Sequence, residues 1–146
     1  KAPEAVLSDG TLSDAPLSKW ADKVRVINVV PSLDTPVCDT QTRKFNQEAA
    51  KWGDKAVVLT ISMDLPMAQK RWCGATGSDN VVVLSDFRLR DFGEKYGLYV
   101  KEKGLLARSV FVVDTEGTVK HAEITKDLLQ EPTYGAAVET VQGLLS

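Results

Sequence analysis

The chain has 146 residues, 43% hydrophobic and 26% charged, the composition of one folded domain with apolar material for a core, which excludes disorder. Its 18 Lys and Arg stand against 20 Asp and Glu, a net charge of -2, so no broad positive field points to nucleic acid or an anionic membrane as partner. No apolar run approaches the ~20 residues that span a bilayer. The opening Lys1-Ala2-Pro3-Glu4-Ala5 has no initiator Met and no apolar targeting stretch, and reads as a processed or trimmed end.

Two cysteines, Cys38 and Cys73, and a single His are too few for the disulfide scaffold of a small secreted domain. They also cannot supply the clustered ligands of a structural zinc site, so neither a metal centre nor a Ser-His-Asp or Cys-His apparatus is expected. A reducing cytosol is the expected compartment.

In chain order, the β-branched run Val24 to Val30 predicts a buried strand stopped at Pro31. Thr35 is a good N-cap and Pro36 suits the first helical position. With Phe45, Ala49 and Trp52 recurring at helical spacing, a helix is predicted from Pro36 to Trp52 before Gly53, with Cys38 as its third residue. Ala56 to Met63 predicts a second strand. Asp64 followed by Pro66 signals another helix, carrying Met67 to Cys73 and ending by Gly74 and Gly77. Val81 to Leu84 predicts a third strand and Phe87 to Tyr96 a short helix stopped by Gly97. Ala107 to Val113 and Thr118 to Ile124 predict a hairpin across Asp114-Thr115-Glu116-Gly117, and Pro132 opens a last helix through Leu145. The order implies one α/β domain over the whole chain, with a mixed sheet flanked by helices, parallel at first and antiparallel at its end.

A Cys in the first turn of a helix meets unpaired backbone N–H groups and the positive end of the helix dipole, which favour thiolate over thiol. Cys38 is so placed, although position alone also fits a buried Cys acting as a small hydrophobe. Asp34 and Asp39 oppose a thiolate there, so a cation from elsewhere in the chain is required.

Pro31-Ser32-Leu33-Asp34-Thr35-Pro36-Val37-Cys38 resembles the active-site pattern of the peroxiredoxins: Pro, three residues, Thr, two residues, Cys, after a strand and opening a helix. Arg43-Lys44-Phe45-Asn46-Gln47, Asp64-Leu65-Pro66-Met67-Ala68-Gln69, Arg71-Trp72-Cys73-Gly74 and Gly104-Leu105-Leu106-Ala107-Arg108 are similar to the bacterial thiol peroxidases, atypical two-cysteine members of that family. The likeness runs from about Pro3 to Leu145.

The resemblance implies a thioredoxin-like fold and a bacterial, cytoplasmic enzyme that reduces hydrogen peroxide and organic hydroperoxides without metal, haem or flavin. It implies Cys38 as the peroxidatic cysteine, Cys73 as the resolving cysteine that closes an intrachain disulfide, and Thr35 as the hydroxyl that orients peroxide. Pro31 becomes the shield of the thiolate and Arg108 the missing cation, rather than a surface strand-edge Arg. It further implies thioredoxin as reductant and a homodimer. Family members begin with an N-terminal β-hairpin for which this chain has no residues ahead of Pro3.

A raised thiolate fraction alone does not make a fast peroxidase. The remainder has to come from aligning the peroxide oxygens with sulfur and stabilising charge on the leaving oxygen. Leu33, Met67, Trp72 and Phe87 are candidates to line an apolar groove for an alkyl hydroperoxide, although Trp72, Phe45 and Phe87 equally suit a core. His121 is expected to be a solvated strand residue and Lys101-Glu102-Lys103 a solvated turn. Two rival readings stand beside this one: a peroxiredoxin of another subclass with intersubunit or external resolution, and a redox-sensing protein that signals through the two cysteines. A Cys-x-x-Cys pair is absent from the sequence, which argues against a thioredoxin-like disulfide reductase.

Overall fold

The structure, a computed structural model, describes residues 1–77, 80–127 and 130–145. A seven-stranded mixed sheet runs in the order β2 (Asp14–Pro16), β1 (Val6–Ser8), β5 (Val82–Ser85), β4 (Ala56–Ser62), β3 (Val24–Val29), β8 (Ser109–Val113), β9 (Val119–Ile124). Its centre is β3 (Val24–Val29), β4 (Ala56–Ser62) and β5 (Val82–Ser85), mutually parallel, with α1 (Pro36–Trp52) and α2 (Pro66–Thr76) as the connections. Every residue of β3 is buried, which explains why apolar residues fall on both of its faces rather than alternating with polar ones, Arg25 and Asn28 being the two exceptions. Antiparallel β8 (Ser109–Val113) and β9 (Val119–Ile124) extend the sheet beyond β3. Asp114 Oδ1 accepts the Glu116 and Thr118 N–H groups at 2.9 Å each, and Gly117 takes φ +81, closing the hairpin turn.

The opposite edge was not legible in the sequence. β1 (Val6–Ser8) and β2 (Asp14–Pro16) form a hairpin, and β1 pairs antiparallel with β5 through Ser8 and Ser85. Three-residue strands carry too little periodicity to be seen. A second small ribbon, β6 (Tyr99–Val100) with β7 (Leu105–Leu106), brackets the exposed turn at Lys101-Glu102-Lys103.

The sheet separates two cores. One face packs Val24, Val26, Val58, Val110 and Val112 against Phe45, Ala49 and Trp52 of α1 and Ala137 and Val141 of α4 (Tyr134–Leu145). The other packs Ile27, Val29, Leu59, Ile61, Phe111 and Val113 against Leu7, Leu17, Leu98, Leu106 and Phe92 of α3 (Asp91–Lys95). Two boundaries are corrected. Helix α3 starts at Asp91 rather than Phe87, because Arg90 sits at φ +54 and the buried Asp86 carboxylate accepts the Phe92 and Gly93 N–H groups at 3.1 and 2.8 Å. Helix α2 continues through Gly74 and ends where Gly77 becomes left-handed at φ +67, its N–H bonded to the Cys73 carbonyl. His121 is half-buried rather than solvated, and its Nε2 is buried without a hydrogen-bond partner among the described residues.

Candidate active site

Helix α1 begins as the sequence requires. Thr35 is extended at φ -133, its Oγ1 accepts the Cys38 N–H at 3.4 Å and donates to the Ser32 carbonyl at 3.3 Å, and Pro36 follows as first helical residue. Thr35 is exposed whereas Cys38 is 0% exposed, so the capping hydroxyl stands between the sulfur's turn and solvent. Cys38 packs with Val30 and Leu33, and Trp72 and Val83 complete that small cluster; Pro31, also buried, precedes it in the loop.

The loop before Cys38 is held by a residue that sequence reasoning treated only as a helix-start signal. Asp64 does not cap α2. Its carboxylate instead accepts Ser32 Oγ at 2.7 Å, the Leu33 N–H at 2.8 Å and Ser62 Oγ at 2.8 Å, tying the Cys38 loop to the end of β4. Asp39 is likewise committed: Oδ1 accepts Trp72 Nε1 at 2.9 Å and Oδ2 pairs with Arg43 at 2.8 Å. Arg43 thereby offsets the acidic charge next to Cys38.

Arg108 is 2% exposed, which rules out a surface strand-edge residue. Its Nη1 donates to Gln41 Oε1 at 2.9 Å. Gln41 lies one helical turn past Cys38, on the same face of α1, so this bond brings the guanidinium to the turn that carries the sulfur. The Gln41 Nε2 in turn donates to Asn28 Oδ1 and to the Val29 carbonyl, and Asn28 Nδ2 reaches Thr42 Oγ1 at 3.3 Å and Thr60 Oγ1 at 3.1 Å. Arg108, Gln41, Asn28, Thr42 and Thr60 are all buried, so a polar chain crosses from β8 through α1 to the sheet centre. Gln41 and Asn28 were not singled out from sequence. The available signal was a Gln on the core side of a helix and an Asn inside a strand rich in Val and Ile, two polar residues where apolar ones belong. Tyr134, at the start of α4, packs edge-on to Phe45 with ring centroids 5.7 Å apart. Its phenol is pushed well above the ordinary range, chiefly by burial and then by its hydrogen bond to Glu131, with Arg108 opposing the shift.

Cys73 is half-buried near the end of α2 and lines a groove with Val83, the residue that also flanks the Cys38 cluster; no disulfide joins the two cysteines in this structure. Leu33 and Trp72 line a cleft beside Thr35 and Pro36 and a neighbouring cavity of about 430 Å³ that Ala68 and Ala75 share. Met67, 60% exposed, and Phe87, half-buried, line neither. No helix among the described residues is long and apolar enough to cross a membrane.

A parallel β-α-β-α-β core extended by an antiparallel hairpin, with a buried cysteine in a capped first helical turn and a buried arginine bonded to the same helix, defines a thioredoxin-like thiol protein. The redoxin family model matches residues 1–138, and the chain belongs to that family. It is 49% identical over 145 residues to a thiol peroxidase of Bacillus subtilis, covering 99% of this chain and 86% of the relative. It is 47% identical over 144 residues to a thiol peroxidase of Streptococcus pneumoniae, covering 99% and 88%. The crystal structure of a peroxiredoxin-like protein from Aquifex aeolicus superposes with TM-score 0.90 at 45% identity, covering 99% of this chain and 85% of that one. A thiol peroxidase from Chromobacterium violaceum, 20% identical, shares the fold at TM-score 0.83.

Proposed function

We infer that the protein is a thiol-dependent peroxidase in which Cys38 attacks hydrogen peroxide or an organic hydroperoxide. The observation that carries this is the buried Cys38 in a Thr35-capped helix start, with Arg108 brought to the same turn by Gln41. The Cys38 thiolate bonds to the terminal peroxide oxygen, the O–O bond breaks, and the leaving oxygen departs with the electron pair and takes a proton. Arg108, the Thr35 hydroxyl and the N–H groups of the turn are the donors available to that developing charge, a contribution that grows as the oxygen leaves. Pro31 and the Val30 and Leu33 side chains shield the sulfur from bulk water.

The resulting sulfenic acid condenses with the Cys73 thiol, releasing water and forming a Cys38–Cys73 disulfide. A disulfide needs Cα atoms within about 7 Å, and both cysteines sit within helices, so turns of α1 or α2 unwind in each cycle. A dithiol protein of the thioredoxin type then reopens the bridge, in the bacterial cytoplasm. Leu33 and Trp72 supply apolar wall for an alkyl group. Leu65 and Met67, exposed at the start of α2, offer apolar surface to a second copy of the chain in a homodimer.

The test is a pair of substitutions. Cys38→Ser abolishes peroxide consumption, whereas Cys73→Ser retains the first oxidation, read as one equivalent of sulfenic acid trapped per chain, and loses turnover with thioredoxin. Equal loss of that single-turnover step in both variants contradicts the assignment.

A further inference from the structure

Gln69 is 2% exposed on the inner side of α2. Its Nε2 donates to the Leu84 carbonyl at 2.8 Å and to Ser62 Oγ at 3.0 Å. The Leu84 carbonyl can only accept, so the amide cannot be turned round, and Oε1 is left as the outstanding branch, buried and without a hydrogen-bond partner among the described residues. A buried acceptor with nothing to accept is destabilising, and its presence points to a donor supplied at another stage. The same side chain lines a groove of about 360 Å³ between α2, β5 and the β1–β2 turn, with Gly10, Lys70, Cys73, Val81 and Val83 around it. The side chain that carries the orphaned acceptor and a thiol therefore share one groove, while Cys38 is buried and does not line it.

We propose that this groove receives an extended peptide segment of the dithiol protein that re-reduces the enzyme, and that Gln69 Oε1 accepts a backbone N–H from that segment. The proposal rests on the thiol-recycling reading above. A backbone N–H is the chemistry the site lacks, Val81 and Val83 give apolar walls for flanking side chains, and Cys73 presents the accessible sulfur. The Oε1 atom is covered in the reduced fold. Gln69 lies one turn before Cys73 on the same face of α2, so unwinding of that helix around Cys73 as the Cys38–Cys73 bond forms uncovers Oε1, and the segment binds the oxidised form.

The chemistry fits the placement. The partner's thiolate bonds to Cys73 Sγ, the intrachain S–S bond breaks, and its electron pair leaves on Cys38, whose helix N-terminus stabilises the departing thiolate. The partner's second thiol, deprotonated, then attacks the partner's own sulfur in the mixed disulfide. Cys73 is released as a thiolate and takes a proton. Two electrons have passed to the enzyme and the partner is left as a disulfide.

Steady-state turnover of the full chain with thioredoxin and, separately, with dithiothreitol tests this. The variants are Gly10→Trp, which fills the groove from a position where an added Cβ meets nothing within 4 Å, and Gln69→Met, which removes the acceptor. Loss of one neutral hydrogen bond predicts a KM for thioredoxin raised about three- to tenfold in Gln69→Met, and obstruction of the groove predicts a rise at least as large in Gly10→Trp. Peroxide oxidation in a single turnover and dithiothreitol-driven recycling stay at the wild-type level. Because Gln69→Met also loses its bonds to β4 and β5, Gly10→Trp is the deciding variant. An unchanged KM for thioredoxin in folded Gly10→Trp overturns the proposal, as does a defect seen only with a small monothiol such as glutathione, which would mark a small-thiol site. If dithiothreitol recycles the wild type and thioredoxin does not, the recycling reading itself falls, and this inference with it.

Discussion

Replacing Gln41 with Leu isolates what the buried polar chain contributes. The substitution removes the acceptor 2.9 Å from Arg108 Nη1 and the donor that satisfies Asn28 Oδ1. A hydrogen bond to a charged group is worth about 1.5–3 kcal/mol and an orphaned buried acceptor costs about 1–3 kcal/mol, so a stability loss of about 3–5 kcal/mol is expected. The catalytic effect is separate. A guanidinium displaced by ~1 Å loses its alignment with the leaving oxygen, which corresponds to roughly 100-fold in rate. Gln41→Glu keeps an acceptor for Arg108, and Asn28 can turn its amide so that Nδ2 faces the carboxylate while Oδ1 accepts from the Thr42 and Thr60 hydroxyls. That variant is expected to fall within about tenfold of wild type, the scale of one rearranged hydrogen bond. The assay is stopped-flow oxidation by hydrogen peroxide in a single turnover, run beside alkylation by iodoacetamide, which reports the thiolate without engaging the transition state, and urea unfolding to establish the folded fraction. If Gln41→Leu, while folded, oxidises as fast as wild type, or loses oxidation only in step with alkylation, Gln41 does not position Arg108 for the reaction.

Three further outcomes follow from the same structure. An added Cβ at Gly93 would lie 2.7 Å from Leu106 Cδ2 and 3.1 Å from both Asp86 Oδ2 and Tyr99 Cβ, so Gly93→Ala should lower stability by about 1–3 kcal/mol, seen as a fall in Tm. Burial raises the Asp86 carboxyl from 3.8 to about 6, so the native state holds its proton more tightly than the unfolded chain does. Its contribution, up to ~3 kcal/mol, is complete below pH 4 and lost as pH rises through about 6; urea unfolding across that window should show the fall in wild type and not in Asp86→Asn. Closing the Cys38–Cys73 loop would by chain entropy stabilise the oxidised protein by roughly 4 kcal/mol, but the lost helical turns offset this, so Tm should change little on oxidation while amide exchange across Thr35 to Thr42 speeds up. A large rise in Tm with unchanged exchange would show that the bridge forms in a rigid fold.

What the sequence revealed and what it hid divide along physical lines. Helix α1 was legible to the residue, because Thr35, Pro36 and Gly53 mark its ends and Phe45, Ala49 and Trp52 its buried stripe. The central strands were legible because burial leaves them rich in Val, Ile and Leu. The β1–β2 hairpin and the β6–β7 ribbon were not, since two or three residues carry no period and their pairing is decided by distant partners. The start of α3 was misread for a similar reason: Asp86 caps it from five residues upstream, and nothing local announces that Arg90 turns left-handed. At the site, Cys38, Thr35, Pro31 and Arg108 followed from a pattern, whereas Gln41, Asn28 and Asp64 act through contacts between elements far apart in the chain.

Those contacts connect the two cysteines mechanically. Trp72 bonds Asp39 across the α1–α2 interface at 2.9 Å, one residue before Cys73 and one after Cys38. Asp64 holds the Ser32–Leu33 loop to the β4–α2 connection at 2.7–2.8 Å. The same ties that fix the geometry around Cys38 therefore also keep both cysteines in their helices. Attack on peroxide calls for the rigid arrangement, since alignment is most of what the chain adds beyond a thiolate. In the proposed cycle, formation of the disulfide calls for its release. Each of these ties is a small number of polar bonds at a partly exposed interface rather than a stretch of apolar core, and Asp39 and Trp72 are both half-buried. Hydrogen bonds to a carboxylate are worth about 1.5–3 kcal/mol each at most, and they are few, so the first turn can open while Phe45, Ala49 and Trp52 anchor the rest of α1 to the sheet. The division of α1 into a polar-tied first turn and an apolar-anchored remainder lets one helix serve both steps.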